Sequence, residues 1–324
     1  MTRLAMLLSA WLCAVAFIVP TSPAVAFQVT FVSATGSDSA DCSSEKTPCI
    51  QINTALAQTD DGGEIVCIGN GYFSWDFTIT RSVTIDCPPA TFTFGQITIN
   101  GAGIVVKLRN LSIVSTTPPS GGGSFVPFGI NAINMAALII ENCNITGYAT
   151  SGASPLIGIV FAPSAFASQL IVRDTVIDSN GLGTNGGGIK VAPASGGSAG
   201  VLLERVKFGY NVTAMALQSF NGPISATIAD SSVTASRSNG ILAIAGGQPL
   251  NLTIKNSKLV NNVGAAIQSN GAGSTVVLSG STVTGNQVGL SLVNGGQMMS
   301  YKNNEIFGNG SDGTPIPAVP TGPQ

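Results

Sequence analysis

One six-residue pattern recurs along most of this chain and limits its fold more than any other feature. The pattern has apolar first and sixth residues and, most often, Asn or Asp in third place. Its eight copies begin at Leu108, Ile140, Val172, Leu203, Ile228, Ile254, Leu278 and Tyr301. The spacings between these starts are 32, 32, 31, 25, 26, 24 and 23 residues. A second pattern, exemplified by Gly129-Ile130 and Gly188-Ile189, precedes most copies, and its spacing shortens along the chain as theirs does. Two series whose spacings change together indicate one structural repeat.

The repeat unit favours strands and turns over helices. Each unit contains three short segments with alternating apolar residues, separated by Gly and Asn. Gly, Asn and β-branched residues are poor helix formers, and no apolar stripe with a period of 3.6 residues is present. The sequence therefore predicts an all-β solenoid with three strands per coil. Each strand would pair in parallel with the next coil, about 4.8 Å away.

With these repeats, the chain resembles the right-handed parallel β-helix proteins of the pectin-lyase-like group. It is similar to an exported bacterial type that lacks matched catalytic residues. The resemblance covers roughly residues 29–310, and residues 48–57 are similar to the group's N-terminal capping helix. It implies one domain at residues 27–309 with about 10–11 coils, of which residues 27–75 form an N-terminal cap. It implies no particular activity, because this fold carries lyases, hydrolases, epimerases, adhesins and non-enzymes.

The two ends of the chain differ in composition from the repeats. Residues 1–26 contain Arg3, an apolar run and the sequence Ala24-Val25-Ala26, which is typical of a cleaved secretory signal peptide. Because the run has about 16 residues and a spanning helix needs about 20, cleavage is favoured over a membrane anchor. We therefore expect export to the periplasm, the cell surface or the extracellular space. Residues 310–324 are rich in proline and are predicted to be disordered.

The cysteines fit an exported protein, because oxidising compartments permit disulfides. Cys42 and Cys49 share one polar loop and are predicted to form a local disulfide. Cys67 and Cys87 lie in neighbouring strand-like segments and are predicted to form a second. Cys143 is then left over, and we expect a small buried side chain rather than a reactive thiol.

Composition excludes several classes of function. The chain has no His, so catalytic triads and metal sites that depend on His cannot be built. It has 13 Lys and Arg against 15 Asp and Glu, without a basic cluster, so nucleic-acid binding is not expected. The sequence predicts no cofactor, no metal site and no transmembrane span.

Most charges in the repeats are assigned structural positions. Arg109, Glu141, Arg173 and Glu204 each follow a pattern start and alternate in sign, which predicts an ion-pair ladder on the surface. The third position resembles the Asn ladder of this fold, and the predicted members are Asn110, Asn142, Asp174, Asp230, Asn256 and Asn303. Arg205 departs from that ladder and is expected to mark an irregular turn. Of the acidic residues in the repeats, only Asp178 and Glu305 are then without a structural assignment. They are five coils or about 24 Å apart, whereas the two carboxylates of a glycosidase are about 5–9.5 Å apart.

The resemblance implies that the Gly-Ile strands line the substrate groove of the family's enzymes. The outward residues predicted there are Asn131, Val160, Lys190, Ala216, Leu242, Ala266 and Ser291. Lys190 is the charged member and the candidate catalytic base, with Asp178, Arg173 or Tyr210 nearby. The basic residues and calcium-binding acids of the family's lyases, and the several Asp of its hydrolases, cannot be matched in this sequence.

Three functions remain open. The favoured hypothesis is a non-catalytic protein that binds a polysaccharide or a partner surface along a rigid face, with the loops at 115–128, 146–156 and 179–187 beside it. The alternative is a carbohydrate-active enzyme, a lyase before a hydrolase, centred on Lys190. A third is a self-associating adhesin that uses an outward apolar column of Ile139, Ile171 and Leu202. That column would otherwise pack under a loop or the N-terminal segment.

Overall fold

The computed structural model describes residues 28–320, except 70, 74–75, 89–91, 116–127, 149–155 and 184–185. These residues form a right-handed parallel β-helix with three parallel sheets of 11, 10 and 10 strands. The predicted fold is confirmed. The predicted signal peptide at residues 1–26 lies outside the described residues, and so does most of the loop at 115–128. No helix in the described part of the chain is long and apolar enough to cross a membrane.

Each coil contributes one strand to each of the three sheets. Sheet A consists of β1 Val29–Val32, β2 Gly63–Cys67, β5 Val83–Asp86, β8 Val105–Arg109, β11 Ala137–Glu141, β14 Ser168–Arg173, β17 Ala199–Glu204, β20 Ile224–Ala229, β23 Leu250–Lys255, β26 Ser274–Ser279 and β29 Gln297–Ser300. Sheet B consists of β3 Tyr72–Phe73, β6 Phe92–Phe94, β9 Ser112–Val114, β12 Asn144–Thr146, β15 Val176–Asp178, β18 Lys207–Gly209, β21 Ser232–Thr234, β24 Lys258–Val260, β27 Thr282–Thr284 and β30 Glu305–Ile306. Sheet C consists of β4 Phe77–Ile79, β7 Ile97–Asn100, β10 Phe128–Asn134, β13 Ile157–Phe161, β16 Gly187–Val191, β19 Thr213–Ser219, β22 Ile241–Ala245, β25 Ala265–Asn270, β28 Val288–Val293 and β31 Ser311–Gly313.

Alternating residues in each strand fill the interior of the coil. In β23, Leu250, Leu252 and Ile254 are buried while the residues between them point outward. The starts of the repeated pattern stack in one column, so that Ile228, Ile254 and Leu278 are direct neighbours. The eighth start is shifted by one residue, because Ser300 and not Tyr301 pairs with Leu278. Tyr301 is 59% exposed.

The N-terminal end is closed by a helix and by disulfides. Helix α1, Ile52–Gln58, buries Ile52, Ala55 and Leu56 against the first coils, as the capping segment predicted. The Cys42–Cys49 and Cys67–Cys87 disulfides are both present, which confirms the two predicted pairs. Cys143 is free and buried, and burial raises the pKa of its thiol to about 12. At neutral pH the thiol therefore stays protonated and unreactive.

The structure describes a C-terminal strand and hydrogen-bonded segment at residues 311–319, where the sequence analysis predicts disorder. Strand β31 pairs with β28, and Ile316 is buried. The Ser300 amide donates to the Pro317 carbonyl, and the Val319 amide donates to the Ser300 carbonyl. Proline lacks an amide donor but keeps its acceptor, so a proline-rich segment can still satisfy one side of a sheet edge. Residues 321–324 lie outside the described range.

The first turn column, between sheets A and B, follows the predicted backbone. Asn110, Asn142, Asp174, Asp230 and Asn256 have φ values between 48° and 61°. Side-chain bonding is more limited than predicted: Asn142 Nδ2 donates to Asn110 Oδ1 at 2.6 Å, and Asn303 accepts from the Gly280 amide at 2.9 Å. Asn303 is not among the residues with positive φ, because the shift in the last coil puts Lys302 in that conformation at 61°. The expectation of an irregular turn at Arg205 is wrong, since its φ is 53°.

A buried amide ladder that the sequence analysis missed lies in the second turn column, between sheets B and C. Its members are Asn180, Asn211, Asn262, Asn286 and Asn309. Asn262 Nδ2 donates to Asn286 Oδ1 at 2.8 Å, and Asn286 Nδ2 donates to Asn309 Oδ1 at 2.9 Å. Ser236 occupies this column between Asn211 and Asn262. Its Oγ is buried and has no hydrogen-bond partner among the described residues.

Candidate functional site

The four candidate catalytic residues lie on three different sides of the coil. Lys190 is in β16 of sheet C, and Arg173 ends β14 of sheet A. Asp178 ends β15 of sheet B, and Tyr210 follows β18 of the same sheet. The fold therefore places Asp178 and Tyr210 on neighbouring coils of one sheet and separates both from Lys190 and Arg173. No described residue accepts a hydrogen bond from the Lys190 ammonium or forms an ion pair with it.

Arg173 belongs to the predicted ion-pair ladder, which the structure confirms. Arg109 contacts Glu141 at 3.3 Å, and Arg173 contacts Glu141 at 3.3 Å and Glu204 at 2.9 Å. Asp86 extends the row, 3.9 Å from Arg109. The hydrogen bond from Arg173 to Glu204 raises the arginine's pKa. Because all charges in this row already have partners, we assign it a structural role.

The outward column of sheet C contains one error in the predicted register. Leu242 pairs with Gln268 and not with Ala266, which is buried. The reason is that Ile267, two residues beyond the expected position, takes the interior site beside Ile241. In this column Lys190 is flanked by Val160 and Ala216. The residues around Lys190 therefore supply no second charge.

The predicted apolar column of sheet A is continuous. Ile139, Ile171 and Leu202 are direct neighbours in register, and all three are half-buried. They point outward, as the residues on either side of each are interior. The column runs beside Glu141, Arg173 and Glu204 of the ion-pair ladder.

The acidic side chains of the described residues do not form a metal site or a catalytic carboxylate pair. They contain no group of three or more His, Cys, Asp or Glu side chains that could hold a metal ion. Asp178 and Glu305 belong to strands β15 and β30, which the order of sheet B places five steps apart. At about 4.8 Å per step these two carboxylates cannot act together on one glycosidic bond.

A surface depression of about 490 Å³ lies where sheet A turns into sheet B. We call it the corner groove. It is lined by Asp174, Thr175, Val176, Arg205, Val206, Lys207, Asp230, Ser231, Ser232, Asn256 and Lys258. Three of these side chains are cationic and two are anionic. The groove therefore gathers more charge than any position the sequence analysis singled out on sheet C.

Two parallel columns build the corner groove. One is the first turn column, where Asp174, Arg205, Asp230 and Asn256 follow one another on successive coils with φ between 48° and 53°. The other is the first outward position of sheet B, where Val176, Lys207, Ser232 and Lys258 are neighbours in register. Because each column advances by about 4.8 Å per coil, the side chains form a regular array along the axis.

The charges in the corner groove are of three kinds. Asp230 is exposed, and its carboxylate has no hydrogen-bond or ion-pair partner among the described residues. Arg205 is bound to Asp174 by two hydrogen bonds, from Nε at 2.6 Å and from Nη2 at 2.8 Å. These bonds lower the pKa of Asp174 and raise that of Arg205. Lys207 and Lys258 are exposed, and neither ammonium has a partner among the described residues. They lie two coils apart, about 9.6 Å along the axis, and can bind two anionic groups arranged in a line.

The fifth position of the repeated pattern carries a sequence signal for this groove. Lys207 and Lys258 occupy the fifth position of the repeated pattern in its fourth and sixth copies. Comparing the fifth positions coil by coil would have placed both lysines in one outward column. The predictions above concern the second and third positions of the pattern, which hold the ion-pair ladder and the turn residues.

Comparison with known proteins supports the fold. No family model matches the chain, and no curated protein matches it. Among solved structures, the crystal structure of pectate lyase Pel9A matches with a TM-score of 0.54 and 14% sequence identity. The match covers 84% of this chain and 74% of the pectate lyase chain. The chain therefore shares the parallel β-helix fold with that enzyme, and at this identity the likeness concerns the fold alone.

Proposed function

We propose that this protein is an exported, non-catalytic β-helix that binds an acidic polysaccharide along the corner groove. The observation that carries the proposal is the pair of unpartnered ammonium groups of Lys207 and Lys258, held in register two coils apart. A linear polymer with recurring carboxylates can contact both cations at once, whereas a small anion needs only one. Pectate lyase, which has this fold, acts by its name on an acidic polysaccharide. The two disulfides support export.

A binding role agrees better than catalysis with the dispersal of the candidate residues. Abstraction of a sugar proton needs a base next to groups that stabilise the resulting charge. Lys190 has Val160 and Ala216 beside it, and Arg173 is held by two glutamates on another sheet. The corner groove holds two unpartnered cations, Lys207 and Lys258, against one unpartnered carboxylate, Asp230. Its free charge is therefore net positive, which suits recognition of an anion.

The test is binding to a panel of immobilised glycans. We expect retention on polygalacturonate or alginate but not on neutral dextran, and we expect added salt to weaken it. The double variant Lys207→Glu/Lys258→Glu should lose this retention, because it reverses both free charges. Lys190→Glu is the matched control, a free lysine of sheet C, and should bind as the wild type does. Equal retention of the double variant and the wild type would refute the proposal.

The lyase hypothesis is tested with the same panel. Lys190 is the charged residue in the described outward column of sheet C, and the observation that favours it is that its side chain has no partner among the described residues. A lyase would release an unsaturated product that absorbs in the ultraviolet, and Lys190→Ala would abolish the release. Binding without any such release supports the non-catalytic proposal.

A further inference from the structure

Tyr210 has a backbone conformation that is unfavourable for a large side chain. Its φ is 49°, in the left-handed region that bulky residues rarely adopt. The equivalent positions in other coils hold smaller residues, namely Gly147, Ser179, Ala235, Asn261, Gly285 and Gly308. The Tyr210 side chain is 63% exposed, so packing does not offset the strain. Strain of about 1–3 kcal/mol without a packing benefit is typical of residues kept for function.

The turn that carries Tyr210 is held in place by Arg237. The guanidinium donates to the Tyr210 carbonyl at 3.2 Å through Nε and to the Gly181 carbonyl at 2.6 Å through Nη2. These bonds tie the turns of successive coils together. The aromatic ring therefore projects from a fixed backbone, which reduces the entropy that a ligand would lose in ordering it.

The Asp178 carboxylate lies close to Tyr210, on the preceding coil. Gly209 occupies an outward position of sheet B between Asp178 on one coil and Thr234 on the next. A Cβ atom at Gly209 would collide with Asp178 Oδ1, so the carboxylate leans over the glycine. Asp178 Oδ2 accepts a hydrogen bond from Ser179 Oγ at 2.7 Å. Oδ1 accepts none from the described residues and lies over Gly209.

We propose that Tyr210, Gly209 and Asp178 form a subsite for one sugar ring of a bound glycan. The ring of Tyr210 offers an apolar face to the C–H groups of the sugar. The free oxygen of Asp178 accepts hydrogen bonds from sugar hydroxyls, and Gly209, which has no side chain, lets that carboxylate lean across the outer face of β18. The inference rests on the proposed function for the class of ligand. It adds specificity for a hydroxyl-bearing ring, which the cations of the corner groove cannot provide.

The same strand connects the subsite with the corner groove. Lys207 and Gly209 are alternate residues of β18 and point to the same outer face. A sugar on Tyr210 therefore lies within one strand's length of the Lys207 ammonium. One glycan can place its ring on the tyrosine and its carboxylate on the lysine.

The test is affinity for soluble oligogalacturonate, measured by calorimetry on the full chain. Tyr210→Ala should weaken binding about tenfold, Tyr210→Phe should bind like the wild type, and Asp178→Asn should fall between them. Tyr301→Ala, which removes an equally exposed tyrosine from the last coil, should bind normally. Tyr210→Gly should lose affinity without a fall in thermal midpoint, because glycine relieves the strain and the loss then cannot come from unfolding.

The outcomes separate this inference from the proposed function. If the Lys207→Glu/Lys258→Glu variant loses binding while Tyr210→Ala keeps it, the sugar subsite is refuted and the acidic groove stands. If Tyr210→Ala and Tyr301→Ala weaken binding equally, the subsite is also refuted. If the wild type binds no glycan of the panel, both proposals fall together.

Discussion

At the scale of single residues, the second turn column shows how much one side chain can matter. In the buried ladder, Asn180, Asn262 and Asn286 accept from the coil on one side and donate to the Asn of the coil on the other. Ser236 is too short to continue this series, and its Oγ remains buried without a partner among the described residues. The ladder is therefore interrupted in its middle, between Asn211 and Asn262.

Ser236→Asn is expected to stabilise the protein. The longer side chain can reach the adjacent coil and replace an unsatisfied hydroxyl with amide hydrogen bonds, each worth about 1 kcal/mol net. We expect the free energy of unfolding in urea to rise by about that amount. Ser238→Asn, two residues along the same turn, is the control and should change little. A loss of stability in Ser236→Asn would show that the column cannot accept a fourth heavy atom there.

At the scale of strands and turns, the sequence predicted some columns correctly and missed others for identifiable reasons. The sheet A column was found because the apolar start of the pattern recurs in each copy and is followed in most copies by a charged or polar residue. The outward position predicted in β25 was wrong by two residues, Ala266 instead of Gln268. Ala265 and Ala266 are small enough to fit the interior or the outer face, so the larger Ile267 decides the register. The buried ladder of the second turn column was missed because Asn recurs in both turns and hydrogen bonding between coils is not visible in one sequence.

The ion-pair ladder leads to a prediction about its middle member. Glu141 bridges Arg109 and Arg173, whereas Glu204 contacts Arg173 alone within the row. Glu141→Lys would place three cations on successive coils, and we expect a loss of about 1–2 kcal/mol in unfolding free energy. Glu204→Lys should cost less. The difference should shrink in high salt, and its persistence there would contradict an electrostatic origin.

At the scale of the whole molecule, the fold followed from the sequence but the site did not. A repeat of 23–32 residues with three alternating segments has few structural solutions, so composition and spacing were sufficient. The corner groove depends on side chains from four coils whose alignment is fixed by strand register. Asp178 and Tyr210 were singled out as candidates, but in combination with Lys190, from which the coil separates them.

The C-terminal segment covers the open sheet edges of the last coil, and we expect this to prevent end-to-end association of molecules. Strand β31, Ile316 and Pro317 cover parts of the last coil in sheets C and A. Deleting residues 311–324 exposes these edges, and open parallel edges pair with other chains. We expect light scattering to show aggregation that increases with protein concentration. The variant Ile316→Asp, which keeps the full length, should aggregate less than the deletion, and a monomeric deletion variant would contradict the capping role.

The covalent links of the molecule are distributed unevenly along its axis. Both disulfides lie within the first coils, between Cys42 and Cys87, whereas the last coil is closed by hydrogen bonds and one buried isoleucine. In a solenoid each coil is supported mainly by its neighbours, so opening at one end can propagate. The coils of the molecule are consequently expected to unfold in an order along its axis. We expect the molecule to open first at its C-terminal end, so that the coils that carry Arg205, Lys207 and Tyr210 outlast those nearer that end.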